Sequence, residues 1–274
     1  MEQVAKYLNG GTFKLYRASG IPFTDRLPKK HRETIVTELA KYLYQIYKQN
    51  LSSYEEDVIL RYSSYRDIAN EIITISGSVD ELRYLVIKSR NSRLLPRQTF
   101  VFSKLENNND TLLFSRVTSK PEVNDYLLKL LQVQIDLILI EYGAFPLHLI
   151  PSMINKLSTR FHSDLRLVYE TPQLSGLLNS IQIEVPYTDV KELRHRSGSD
   201  KLYANISRFM YECTKIKFDK SKIKKFASDV VNLSSNGRIN FHGKKEDADN
   251  EDEKEETALI MEVIMHIHWV LNEG

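Results

Sequence analysis

Between residues 165 and 185 the chain twice alternates apolar and polar positions. In LRLVYE, Leu165, Leu167 and Tyr169 fall on one side of an extended chain. In SIQIEV, Ile181, Ile183 and Val185 do the same, with Arg166, Gln182 and Glu184 interleaved. A period of two with one apolar side is the pattern of strands covered on one face; the following PYTDVKEL opens a helix. Upstream, TFKLYR (12–17) predicts a first strand, and Ile35, Leu39, Leu43 and Ile46 draw one apolar stripe along a helix over 29–49. DVILRYS and NEIITISG are strand-like, and DELRYLVIKSR fits either a short helix or a strand. RQTFVFSKLENNNDTLLFSRV reads as a hairpin, two β-rich runs around a polar turn.

From Pro121 the spacing changes. Asp125, Lys129, Gln132 and Asp136 recur at helical intervals, predicting a largely buried helix that ends near Gly143. AFPLHLI is expected as a strand and PSMINKLSTRF as a short helix with Pro151 near its start. A further helix over 200–215 aligns Leu202, Ile206, Phe209 and Cys213, and the last segment spaces Ile260, Val263, Ile264, Ile267 and Leu271 on one helical side. In FASDVVNLSSNGRINFHG, Asn236-Gly237 predicts a type I′ hairpin turn with positive φ at both residues. Its second strand, RINF, is short and precedes a charged run, so a sheet-edge position is expected. The fold class is therefore α+β, mostly antiparallel sheets with packed helices in two lobes, 1–118 and 119–274, the second carrying an acidic loop at 243–257.

Charge sharpens this picture. The 274 residues carry a net +2, yet EDADNEDEKEE (246–256) holds eight acids and one lysine, a local −7 that leaves +9 elsewhere. Arg83, Lys88, Arg90, Arg93, Arg97 and Lys104 follow one another with no acid between, and KIKFDKSKIKK (215–225) sets six lysines against Asp219. Such stretches favour a polyanionic partner through counterion release; on an ordinary soluble protein they are a solvated surface. A single cysteine, Cys213, excludes an internal disulfide framework and fits a reducing compartment. No run is apolar enough to span a membrane, and the N-terminus lacks a signal-peptide pattern, so a cytosolic or nuclear location is expected.

Catalytic chemistry finds no support in the residues. His266 and His268 lie two apart, about 200° round a helix, and no acid or cysteine completes a zinc spacing; no metal or other cofactor is expected. Cys213, on the apolar stripe of its helix, is expected as a buried, unreactive thiol. There is no G-x-S-x-G motif, and Gly10-Gly11 is too little for a phosphate loop. Tyr62, Tyr65 and Tyr84 near Arg61, Arg66 and Arg83 leave open a sequence-tolerant RNA- or single-strand-binding module, the alternative to a protein-binding scaffold. A hydrolase or transferase with dispersed residues comes third.

The helix ending in IEYG, the segment AFPLHLI, then INKL, LRLVYETPQ, SIQIEVP, LYANISRFMYE, the paired strands around Asn236-Gly237 and a terminal helix resemble, in that order, the centromere protein L family. The resemblance covers roughly the C-terminal 150 residues, and the acidic insertion departs from it. It implies a non-enzymatic, nuclear subunit of the inner kinetochore. Its C-terminal sheet would pair with a centromere protein N-like subunit and, in yeasts, with a second copy of itself, helping to connect centromeric nucleosomes to the outer kinetochore. On that basis Val231, Leu233, Ile239, Asn240 and Phe241 are the expected partner-binding residues. Arg90, Arg93, Arg97, Lys222, Lys224 and Lys225 are the expected contacts to the DNA backbone.

Overall fold

The computed structural model describes residues 7–49, 62–104, 111–170, 180–197, 201–218, 221–242 and 250–272. Most of DVILRYS, and residues 243–249 of the acidic run, lie outside the described residues. The chain divides into two units: the first runs from Phe13 to Glu141, the second from Tyr142 to Gly274 together with an N-terminal segment that ends at Thr12.

In the first unit the strands are β1 (Thr12–Ala18), β2 (Ile72–Val79), β3 (Leu82–Ser89), β4 (Gln98–Lys104), β5 (Thr111–Arg116) and β6 (Leu139–Glu141). The helices are α1 (Lys29–Gln49), α2 (Tyr65–Glu71) and α3 (Pro121–Ile135). The strands pair antiparallel in the order β2-β3-β4-β5-β1, with β6 also on β1. DELRYLVIKSR thus resolves as strand, paired with β2 and β4 along its length. One face of this sheet packs Leu85, Ile87, Phe100, Phe102 and Leu113 against Ile35, Leu39 and Leu43 of α1 and Leu127 and Leu131 of α3. Each such side chain contributes roughly 1.5–3 kcal/mol on burial. Ser64 and Asp67 form a capping box that starts α2, the Ser64 N–H donating to Asp67 Oδ2 at 2.9 Å.

Helix α3 begins on Pro121, as expected, but stops at Ile135 rather than near Gly143. Asp136 takes a left-handed conformation (φ 55°) and its N–H caps the Gln132 carbonyl. The chain then turns out of the helix, and Leu139–Glu141 adds to β1.

The second unit holds α4 (Leu149–Lys156), β7 (Leu165–Glu170), β8 (Ser180–Val185), α5 (Tyr187–Ser197), α6 (Leu202–Thr214), β9 (Ile223–Ala227), β10 (Val231–Ser234), β11 (Arg238–Phe241) and α7 (Asn250–Asn272). Its strands run antiparallel in the order β11-β10-β9-β7-β8. Among the described residues the two units thus hold six and five strands, and the α+β class with antiparallel sheets stands.

Several local expectations change. AFPLHLI is not a strand. The Phe145 N–H donates to Ser235 O and Leu149 N–H to Pro146 O, so the segment turns at Pro146 and runs into α4. The hairpin turn has three residues, Ser235 to Gly237, because Ser234 pairs with Arg238. Only Gly237 has positive φ (78°), as in a connection that ends in a left-handed glycine. A Cβ there would also lie 2.0 Å from Tyr142 O, so glycine is required on two counts.

The acidic run is not wholly a loop, since α7 starts at Asn250. Acid-rich sequence suits a helix N-terminus, where the aligned peptide dipoles favour negative charge. Cys213 is exposed rather than buried. The first turns of α6 bury Leu202, Asn205 and Ile206, but its last turn extends beyond that packing, leaving Tyr211 and Cys213 in solvent.

Candidate interaction surfaces

In the second unit, β10 and β11 place Val231, Leu233, Ile239 and Phe241 at 0–1% exposure, inside the unit's own core. The expectation that RINF lies at a sheet edge does not hold. The Gly10 N–H donates to Phe241 O at 3.0 Å, Asn9 bridges Phe241 in parallel, and Asn240 Nδ2 donates to Thr12 Oγ1 at 2.9 Å. The start of the chain therefore fills the side of β11 that local sequence left open. Val231, Leu233, Ile239 and Phe241 thus face this core, and Asn240 is held by Thr12.

The open side is at the other end of the same sheet. Among the described residues β8 pairs with β7 alone, in register from Leu165–Val185 to Glu170–Ser180. It exposes Ser180, Gln182 and Glu184 while burying Ile183 and Val185. Its one side-chain tie, Arg166 to Glu184 at 3.2 Å, also runs to β7. A strand with one unpaired side presents a row of N–H and C=O groups to another chain. Alternation at 180–185 was legible in the sequence; the absence of a further neighbour was not.

A second surface lies between α4 and α7. Met261, Met265 and Trp269 line an open groove of about 1060 Å³ together with Asn155 and Thr159. Met265 and Trp269 are each 51% exposed, although they sit on the same helix as the buried Ile264 and Ile267. His266 stands at its floor, with Nε2 2.9 Å from Ser152 Oγ and its ring 5.6 Å from that of Trp269. Burial, then the nearby Lys156 charge, hold its pKa below the ordinary imidazole value, against a smaller opposing pull from Glu262. His268 is fully buried, so the two histidines occupy different environments, as their spacing requires. Among the described residues no three His, Cys, Asp or Glu side chains gather as a metal would need, and no helix is long and apolar enough to cross a membrane.

The basic residues fall in both units. In the first, Arg90 and Arg93 are exposed and Arg97 is half-buried; in the second, Lys222 and Lys225 are exposed and Lys224 lies 3.8 Å from Glu170. The loop carrying Arg93 is tied down by Lys120, whose Nζ donates to Arg93 O at 3.0 Å and to Tyr47 Oη at 2.6 Å. Half-burial depresses the Lys120 pKa. Arg116, at the end of β5, was not singled out by sequence because it follows an apolar run and stands apart from the other cations.

Among the described residues the second unit thus offers a strand edge with one neighbour and an apolar groove, and both units carry solvent-facing cations. Residues 152–268, under half of the chain, match the family model of CENP-L, Centromere protein L. Through this region, from α4 to α7, the chain is similar to the centromere protein L family. The family comprises structural components of the kinetochore, at the centromere in the nucleus, and is not a known enzyme family. No curated protein matches the chain.

Proposed function

We propose that this protein is a non-enzymatic inner-kinetochore subunit that joins a protein partner by adding that partner's strand to β8. The β8 edge, which has no second neighbour among the described residues, carries the reading. Backbone pairing at such an edge supplies affinity and alternate side chains set the register. β8 lies within the family-matched residues, and the exposed Ser180, Gln182 and Glu184 alternate with the buried Ile183 and Val185 that anchor it from behind. The partner is a centromere protein N-like subunit or a second copy of the chain, as the resemblance implies. The apolar residues of the β10–β11 hairpin then support the sheet rather than meet the partner.

Contact with centromeric DNA is sequence-independent and made through the backbone, by Arg90, Arg93 and Arg97 in one unit and Lys222, Lys224 and Lys225 in the other. Most of these side chains face solvent, which favours phosphate contacts over a core role. Connection of centromeric nucleosomes to the rest of the kinetochore during chromosome segregation follows from holding both.

The test uses two adjacent prolines in the full chain. Of Ile181 and Gln182, one N–H points at β7 and the other outward, so Ile181→Pro and Gln182→Pro separate pairing within the sheet from pairing with a partner. The outward proline is expected to abolish co-purification with the partner, and self-association in sedimentation, while leaving the melting temperature near that of the parent. Undiminished association in both variants rejects the β8 edge.

A further inference from the structure

At one end of the first unit's sheet, β3 and β5 finish and β4 begins. That topology brings together Arg90, which follows β3, Arg97, which precedes β4, and Arg116, which closes β5. Phe100 lies across from Ser115. One step further along this antiparallel register Thr99 lies across from Arg116, on the face opposite to Phe100, and Arg97 is two residues before Thr99.

The cations here lack counter-charges. Among the described residues, Lys88, Arg90, Arg97 and Arg116 make no ion pair. Arg116 Nη1 is buried with no hydrogen-bond partner, and so is the Oγ1 of the fully buried Thr99. Burial first, and the Arg97 charge second, push the Arg116 pKa down, so two guanidiniums are held close enough to repel while one is partly out of water. A half-buried cation without an anion is costly, and the cost is recovered when an anion arrives.

The backbone that carries the pair is fixed. Asn124 of α3 accepts from Ser115 Oγ at 3.1 Å and donates to Gln98 Oε1 at 3.0 Å and to Arg116 O at 3.3 Å; Gln98 Nε2 in turn donates to Pro96 O at 2.9 Å. This buried amide network clamps the residues on either side of Arg97 and the end of β5. The arginines are therefore positioned before any ligand binds.

We propose that Arg97 and Arg116 form a phosphate clamp seating one backbone phosphate of duplex DNA. Planar guanidiniums suit the fork geometry of phosphate oxygens. The lip of the site continues in Arg90 and Arg93, which gives a run of charge that a polyanion with regularly repeated phosphates can follow. The proposal rests on the DNA-backbone reading above and adds Arg116 as its central residue.

The experiment titrates the full chain against a fluorescein-labelled duplex of arbitrary sequence, by anisotropy, at salt concentrations from about 50 to about 200 mM. Arg97→Gln and Arg116→Gln are each expected to weaken binding and to lower the log-log salt slope by about one. Arg116→Lys keeps the slope but loses affinity, because the charge remains and the fork does not. Without DNA, Arg116→Gln is expected to melt no lower than the parent, since it removes an uncompensated charge; a purely structural arginine would lower the melting temperature. Sodium tripolyphosphate should raise the melting temperature of the parent and not of the double variant. If Arg90→Gln and Arg93→Gln weaken DNA binding while Arg97→Gln and Arg116→Gln do not, the clamp is overturned and the DNA reading survives. If the parent binds no duplex, both fall. Binding of polyglutamate, but not DNA, in an Arg116-dependent way overturns the clamp in favour of an acidic protein segment.

Discussion

In β4 and β5 every residue but the last is buried, whereas β7 and β8 alternate between buried and exposed positions. The first pair has the near-continuous apolar character of strands covered on both faces; the second has one wet face. Their sheets also end differently. β2, the outermost strand of the first unit, is guarded by the loop before α1: the Leu27 N–H donates to Ser76 Oγ at 3.1 Å and Ser78 Oγ donates to Asp25. β8 has no such cover among the described residues. A strand edge left unguarded is an aggregation hazard unless it has an occupant, which for β8 is, on the reading proposed above, the partner's strand.

The contrast is broken most sharply by core truncation. Phe102→Ala, at the fully buried centre of β4, is expected to cost about 3–5 kcal/mol, whereas Val168→Ala on the half-exposed face of β7 should cost less than about 1 kcal/mol. Urea unfolding of both variants measures the two values; equal costs would show that β7 is as enclosed as β4. Next in size is Gly237→Ala, which must adopt φ 78° with a Cβ against Tyr142 O. A loss of roughly 2–4 kcal/mol is expected, and a near-neutral result would mean that the hairpin turn yields more readily than its geometry allows.

The smallest effect is a pH dependence confined to the second unit's groove. The His266 pKa is depressed in the folded state, so below the ordinary imidazole value of 6.5 the unfolded chain takes up a proton that the folded chain refuses. Stability contributed by the neutral ring is complete above that value and is lost as pH falls through the folded pKa. Lys156, Glu262, Ser152 and Trp269 face the ring, and of the two charged groups Lys156 exerts the stronger effect. His266→Gln should flatten the melting temperature between about pH 7 and about pH 5; an unchanged slope assigns the acid sensitivity to carboxylates elsewhere.

Much of this architecture was legible in the chain. The alternations at 165–170 and 180–185, the α1 stripe and the β4–β5 hairpin all rest on local periodicity, and all appear where periodicity placed them. What escaped depended on distant partners. AFPLHLI has the composition of a strand, but Phe145 is held by Ser235 and the chain turns at Pro146. Cys213 shares a helical stripe with Leu202 and Ile206, yet periodicity does not report where a neighbouring element stops. Among the surfaces, exposed cations could be read from charge runs. Arg116 could not, because its significance comes from strand register and from the missing counter-charge. RINF looked like an edge because nothing nearby in sequence could cover it, and its cover comes from the far end of the chain.

That cover carries a consequence for the order in which the molecule is completed. Thr12 is made long before its partner Asn240, 228 positions later. At a synthesis rate of about 5–20 residues per second, the first residues wait roughly 10–45 s for the strand they will close. Until the early segment returns, β11 is a freshly made strand with one bare side, the most exposed moment in the life of the chain. A fragment beginning at Tyr142 would remain at that moment indefinitely, and its tendency to self-associate would be a property of the truncation rather than of the mature assembly surface.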